Sequence, residues 1–333
     1  MVDFMFYKAE LQKKNAIKLD EKLKEYGIPE FMWKFFRAKI KSKAAALKYL
    51  SMIKNFLLYA LESNLVQKTE ISTLEPQDFN NIMAEDITEY LELQEMNGVS
   101  LTTLNTKKNV LRSFWNYLAR LNETNIDRDF FEDVTYEGIS SSNGQNVVEK
   151  FPLQSELDEM ERKISKISND FTRNRNLTIF NILKGTGLRK SELIGLDIQN
   201  VCLNAEIPYI KVIGKGKYRE EEARTVYLSG SVNDELSKWI KYRNDMAAIH
   251  KWDTDALFIN INGERLLERG VDGIFDRYGD RITPHMMRHY YISVTRKIDE
   301  VFTKQQVGHA SLGITEGTYT NTVYDKKDIL ANM

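Results

Sequence analysis

Near the C-terminus three short segments gather unusual chemistry: Thr283-Pro284-His285-Met286-Met287-Arg288-His289-Tyr290, Val307-Gly308-His309-Ala310-Ser311 and Thr318-Tyr319-Thr320. They hold three of the chain's four histidines. Basic, proton-donating groups followed by a tyrosine suit a site that grips a phosphodiester and attacks it with a phenol oxygen. A phenol has a reference pKa of about 10, so it needs flanking cations and a proton acceptor to act. Tyr290, Tyr291 and Tyr324 compete with Tyr319 for that part, and packing is the plain alternative for each. His285 and His289 stand four apart, a zinc-protease spacing, but Met286 occupies the place where that pattern needs glutamate, so no metal is expected.

Two upstream segments supply what such a site would lack. In Thr186-Gly187-Leu188-Arg189-Lys190-Ser191-Glu192-Leu193 a glycine breaks one helix and an arginine enters the next. Arg189 and the backbone dipole can hold an anion there, and Glu192, one turn on, can orient the arginine. A surface i,i+3 ion pair is the plainer alternative. Gly214-Lys215-Gly216-Lys217 places lysine on a glycine-flanked turn, where it can reach into a groove and donate a proton, or simply aid solubility. The spacing of a P-loop is absent.

Helices and one hairpin must position these groups. Leu47, Leu50, Ile53, Leu57 and Leu61 form an amphipathic stripe, and Leu104, Leu111, Phe114, Trp115 and Leu118 form another. Asp86-Ile87-Thr88-Glu89 has capping-box spacing, which predicts a helix start at Asp86. Residues 1–29 read as a helical extension, 30–122 as a helical domain, and 123–150 as a polar, acidic linker centred on Gly138–Gly144. Residues 151–333 read as a second domain. There a helix begins at Ser155, and another carries Leu177, Phe180 and Leu183 to a stop at Gly185 or Gly187. Strands at Ile207–Ile213 and Arg224–Leu228 flank the lysine turn, and helices follow from Val232 onward. The fold class is mainly α with a small β-hairpin.

The bulk properties agree. A chain of 333 residues suits two domains, and 42% hydrophobic residues can fill their cores. The lone Cys202 excludes an intrachain disulfide framework and fits a reducing, cytoplasmic setting. Met1-Val2-Asp3-Phe4 does not read as a signal peptide, and no apolar run approaches a membrane span. The net charge of −1 hides local segregation. Between Phe31 and Lys48 lie Lys34, Arg37, Lys39, Lys41, Lys43 and Lys48 with no acid. Lys107, Lys108 and Arg112 form a second basic group, and Lys211, Lys215, Lys217 and Arg219 a third. Such patches make a basic face on a near-neutral protein, or merely solvated helix faces.

Taken together, the segments resemble the tyrosine recombinase (phage integrase) family. That family reads Gly-Leu-Arg-x-x-Glu-Leu, a Gly-Lys-Gly hairpin, His-x-x-Arg-His, Leu-Gly-His and a terminal tyrosine. This chain has Gly187-Leu188-Arg189-Lys190-Ser191-Glu192-Leu193, Gly214-Lys215-Gly216, His285-Met286-Met287-Arg288-His289, Val307-Gly308-His309 and Tyr319 in that order. The resemblance implies a helical core-binding domain plus an α+β catalytic domain in a compact, Xer-like layout. It implies that Arg189 and Arg288 clamp the scissile phosphate and that His309 adds a hydrogen bond. His285 would act as acid/base, Lys215 would protonate the departing 5′ oxygen, and Glu192 would hold the site together. Tyr319, or Tyr324 as the neighbouring phenol, would attack to leave a 3′-phosphotyrosyl bond, with no cofactor. The implied partners are a double-stranded recombination site and a homotetramer on two such sites, with an accessory DNA-bending protein as an optional addition. Lys34, Arg37, Lys39, Lys41, Lys43, Lys107, Lys108, Arg112, Lys217 and Arg219 are the expected DNA contacts. Integration or excision of a mobile element and resolution of chromosome dimers both fit. The alternatives are relaxation of DNA by a type IB topoisomerase and a silent DNA-binding protein.

Overall fold

The computed structural model describes residues 7–136, 151–214, 217 and 222–308. By internal contacts the chain divides into two units, Glu10–Gln145 and Met1–Ala9 with Asn146–Met333.

The first unit is helical. Its elements are α1 (Tyr7–Glu25, shared with the other unit's first residues), α2 (Glu30–Lys34, running into a π turn at Phe35–Lys39), α3 (Lys43–Glu62), α4 (Ala84–Met96) and α5 (Leu101–Leu118). The Ser42 and Ser100 hydroxyls accept from the amides of Ala45 and Thr103, starting α3 and α5. From the α3 stripe Leu50, Ile53 and Leu57 are buried, and all five apolar residues of the α5 stripe are. Their shared core is aromatic: Phe114 sits 5.3 Å from Phe35 and 5.9 Å from both Phe79 and Trp115, ring centre to ring centre. Leu19 and Leu23 of α1 are buried in this same core, so part of the stretch set apart as an extension packs as an integral helix. Asp86 does not begin α4. The helix starts at Ala84, and the Asp86 carboxylate reaches back from its first turn to accept the Met83 amide at 2.7 Å. An acid in the first turn serves an orphan N–H there as well as it would one step earlier.

The second unit contains α6 (Gln154–Ser165), α7 (Asp170–Thr186), α8 (Lys190–Leu193), β1 (Val201–Cys202), β2 (Tyr209–Ile213), β3 (Ala223–Tyr227), α9 (Gly230–His250), α10 (Glu268–Tyr278), α11 (Pro284–Thr295) and α12 (Glu300–Val307). Helix α7 is its centre, packed by α6, α9 and α11 and buried at Ile179, Phe180, Ile182 and Leu183. The sheet is antiparallel in the order β1-β2-β3, with Val212 opposite Arg224. Ile210, Val212 and Val226 face the core while Lys211 faces outward, as strand alternation requires. Strand β1 adds a third member to the expected hairpin; two residues are too short to show a period. The helical run expected from Val232 is broken at 251–267. There Arg243 donates to the carbonyls of Thr254 and Ala256, and Trp239 Nε1 donates to Leu257 O at 3.0 Å. Among the described residues no helix is long and apolar enough to cross a membrane.

Phe114→Ala should lower the unfolding free energy of the helical unit by about 3–5 kcal/mol, because it empties the centre of the aromatic core. Urea denaturation followed by tryptophan fluorescence measures it, and a loss below about 1 kcal/mol would contradict this packing.

Candidate active site

Helix α7 ends where the chemistry begins. Gly187 caps it in the left-handed conformation, φ +63°, which glycine adopts without strain. A Cβ there would also meet Tyr291 Cδ1 at 2.6 Å. The reversal delivers Arg189 to the start of α8. That helix has only four residues, so its dipole adds little and the arginine's own charge dominates.

Glu192 is the hub. It lies in α8 with 3% exposure. Its Oε2 accepts the Arg189 amide at 3.0 Å, and its Oε1 accepts Arg189 Nη1 at 2.9 Å. From β3, Arg224 closes a fork on the same carboxylate, Nη1 on Oε1 at 3.0 Å and Nη2 on Oε2 at 2.9 Å. Burial works against the charge on Glu192. Hydrogen bonds and positive charge from Arg224 and Arg189 outweigh it and hold the carboxyl below its ordinary pKa. Lys8 lies close by, its ammonium donating to the carbonyls of Ile213 and Gly214 at the base of the hairpin. Burial and the nearby arginines lower its pKa, against the pull of Glu192.

Arg288 joins three parts of the sequence. Pro284 opens α11 and the Thr283 hydroxyl caps it, which sets Arg288 on the buried face. Arg288 Nη1 donates to Gly187 O at 2.8 Å and Nη2 to Val307 O at 2.6 Å. The chain leading to Arg189 and the end of α12 are thus tied to one guanidinium. Burial first, then the charges of Arg189 and Arg224, push Arg288 down to about 10, so it remains a cation at neutral pH. A guanidinium has five N–H groups, and two of them serve these carbonyls.

The other phenols and imidazoles separate clearly. The Tyr291 hydroxyl is buried with no hydrogen-bond partner among the described residues, and burial raises its pKa strongly. Tyr290 donates to Gln154 Oε1 at 2.8 Å, and burial raises it too. Both suit packing rather than attack. His285 is exposed, and its ring stands 4.5 Å from that of His289. Among the described residues no third His, Cys, Asp or Glu joins them in a metal-sized group. Lys217 is exposed. Lys215, Arg219, His309, Tyr319 and Tyr324 lie outside the described residues.

The basic residues of the helical unit divide into two sets. Lys34, Arg37, Lys39, Lys41 and Arg112 are exposed, with Arg37 paired to Asp20 at 2.8 Å. Lys43 is half-buried and donates to Arg37 O, and Lys108 donates to the carbonyls of Val134 and Tyr136. Lys107 corrects the sequence reading. It is only 7% exposed and donates to Gln94, so it braces α5 against α4 instead of facing solvent.

Sequence reading missed Arg224 altogether. Only the fold reveals that it stands opposite the buried Val212, an unusual place for a charge without a partner.

Glu192→Gln should destabilise the catalytic unit by on the order of 3 kcal/mol at neutral pH, because it leaves arginine charge uncompensated. Since folding lowers the Glu192 pKa, its contribution is complete above the unfolded carboxyl's ordinary 4.5 and fades as pH falls through the folded value. The gap between wild type and variant should therefore close on acidification. Denaturant titrations at several pH values measure it, and a gap that widens below pH 4.5 would contradict the ion-pair assignment.

Comparison with known proteins gives a consistent answer. The sequence pattern of the phage integrase family matches residues 155–326, more than half of the chain. Tyrosine recombinase XerS of Streptococcus pyogenes serotype M6 is 26% identical over 358 aligned positions, covering 94% of this chain and 98% of XerS. XerS of Streptococcus thermophilus aligns equally well, at 26% identity. Among solved structures, the XerH site-specific recombinase bound to its difH substrate superposes with a TM-score of 0.57 at 22% identity, over 81% of this chain and 75% of that one. The Tn1549 transposon integrase in complex with circular intermediate DNA gives 0.54 at 15% identity, over 89% and 91%. These structures share the fold. The family pattern over more than half of the chain shows that the chain belongs to the phage integrase family of tyrosine recombinases.

Proposed function

We propose that this protein is a site-specific DNA recombinase that cleaves and rejoins duplex DNA through a 3′-phosphotyrosyl intermediate. The observation that carries the proposal is Arg288, whose guanidinium binds Gly187 O beside the Arg189 segment and Val307 O beside the His309 segment. Such a tie joins the turn that leads to Arg189 and the end of α12, which supports a clamp on a single phosphate. The similarity to XerS supports the same reading.

In this mechanism Arg189 and Arg288 bind the non-bridging oxygens of the scissile phosphate. They stabilise the charge that builds on the pentavalent transition state. His309 adds a hydrogen bond, and His285 exchanges the proton of the attacking phenol. Tyr319 attacks phosphorus, the bond to the 5′ oxygen breaks, and Lys215 protonates that oxygen. The phosphotyrosyl ester conserves the phosphodiester's energy, so a 5′-hydroxyl of a partner duplex can reverse the step and exchange strands. Two cleaved duplexes must be held together for exchange, which calls for four protomers on two sites, with or without a DNA-bending accessory protein. Resolution of chromosome dimers and movement of a genetic element are both served by this chemistry.

Covalent trapping tests the nucleophile. The protein is incubated with a library of nicked duplexes covering its own genome, and SDS-resistant adducts are sequenced. An adduct is expected with wild type and not with Tyr319→Phe. Loss with Tyr324→Phe alone would move the nucleophile, and no adduct from the whole library would contradict the proposal.

Binding tests the basic surface. Replacing exposed Lys41 or Arg112 with glutamine should weaken DNA binding across sequences and reduce the salt slope by about 1 each, whereas Lys107→Gln should leave the slope unchanged. Fluorescence anisotropy over a salt series distinguishes them; an equal loss for Lys107→Gln would overturn the division drawn between exposed and buried lysines.

A further inference from the structure

No motif singles out Arg224, yet it touches both halves of the site. All three of its guanidinium nitrogens are engaged. Nη1 and Nη2 fork onto Glu192 at 3.0 and 2.9 Å, and Nε donates to Gln306 O at 2.9 Å. Gln306 is 1% exposed and returns a second bond to β3, its Oε1 accepting the Tyr227 amide at 3.0 Å. One residue further on, Val307 O is the carbonyl held by Arg288. Gly308 then turns with φ +64°, and a Cβ there would meet Arg224 Cδ at 3.0 Å and Nε at 3.2 Å. The last turn of α12, which leads into His309, is therefore seated directly on Arg224.

We infer that Arg224 is a positioning residue for strand cleavage: it fixes the carboxylate that orients Arg189 and, with the same guanidinium, the helix end that leads into His309. The inference rests on the recombinase reading above. Arg224 makes and breaks no bond and touches no reacting atom. It acts because a phosphate clamp needs both of its sides in register, and a displacement of about 1 Å can cost on the order of 100-fold in rate. Lysine cannot substitute. Its single nitrogen cannot span a carboxylate fork and a carbonyl on a different helix at once.

The test uses the full chain as wild type, Arg224→Lys, Glu192→Gln and the double variant, with a nicked duplex that traps the wild type. Thermal melting, DNA binding and single-turnover adduct formation are measured together. Arg224→Lys is expected to fold and to bind DNA as wild type does, while forming adduct about 10–100-fold more slowly. Because part of its effect runs through Glu192, its loss should multiply only in part with that of Glu192→Gln. Wild-type cleavage by Arg224→Lys, or losses that multiply in full, would overturn the inference. If Arg224→Lys does not fold, Arg224→Met combined with Glu192→Gln leaves no carboxylate buried without its partner. That double variant should cleave more slowly than Glu192→Gln, because the seat of α12 is lost as well, and cleavage equal to that of Glu192→Gln would overturn the α12 half of the inference. No adduct from wild type on any nicked DNA would instead remove the recombinase reading itself. A wild-type adduct with an unaffected Arg224→Lys removes the inference alone.

Discussion

A carboxylate with 3% exposure is costly unless its charge is met, and Glu192 meets it with two arginines and a backbone amide. The rest of the catalytic unit depends on that interaction. Desolvation opposes it, and only good geometry on both oxygens returns the loss. That requirement fixes where α8 and β3 lie, since Arg189 and Arg224 come from different elements and must converge on one group. It also leaves the Arg189 side chain partly exposed, at 30%, with one face oriented by Glu192 and the other available to an anion.

Arg288 extends the same logic to the C-terminal side. Its guanidinium is buried and, among the described residues, meets no carboxylate in an ion pair; it answers with the carbonyls of Gly187 and Val307. Carbonyls orient a cation without neutralising it. The charge therefore stays unneutralised by these bonds, and under the proposed mechanism it would meet a phosphate in a site of low dielectric, where it is worth more than at a surface. Both carbonyl bonds fall beside glycines in the left-handed conformation, Gly187 and Gly308. Each lets the chain reverse at the point where a helix end must approach a large side chain, Tyr291 in one case and Arg224 in the other.

Much of this was legible in the sequence, for reasons that can be named. The stripes of α3 and α5 were readable because burial on one helix face imposes a period that composition cannot mimic. The end of α7 was readable to within two residues, at Gly185 or Gly187, because glycine is the residue that turns left-handed without strain where a helix stops. Arg224 was not readable. Its partner Glu192 lies 32 residues away on another element, and no local pattern reports such a pairing. Lys107 misled because periodicity along a basic stretch does not tell a solvated lysine from one braced against Gln94. Asp86 misled by position alone, since a capping acid serves the first turn as well as the cap itself. Strand β1 was invisible because two residues carry no alternation.

The central claim is that Arg189 and Arg288 act on the charge of one phosphate. The most direct measurement replaces the scissile phosphate of the trapping duplex with a neutral methylphosphonate and compares wild type with Arg288→Ala. If the arginine neutralises phosphate charge, Arg288→Ala fails on the phosphate and regains cleavage on the methylphosphonate, where no such charge remains. If the variant stays inactive on both substrates, Arg288 serves the fold of the site alone and the two-arginine clamp is wrong.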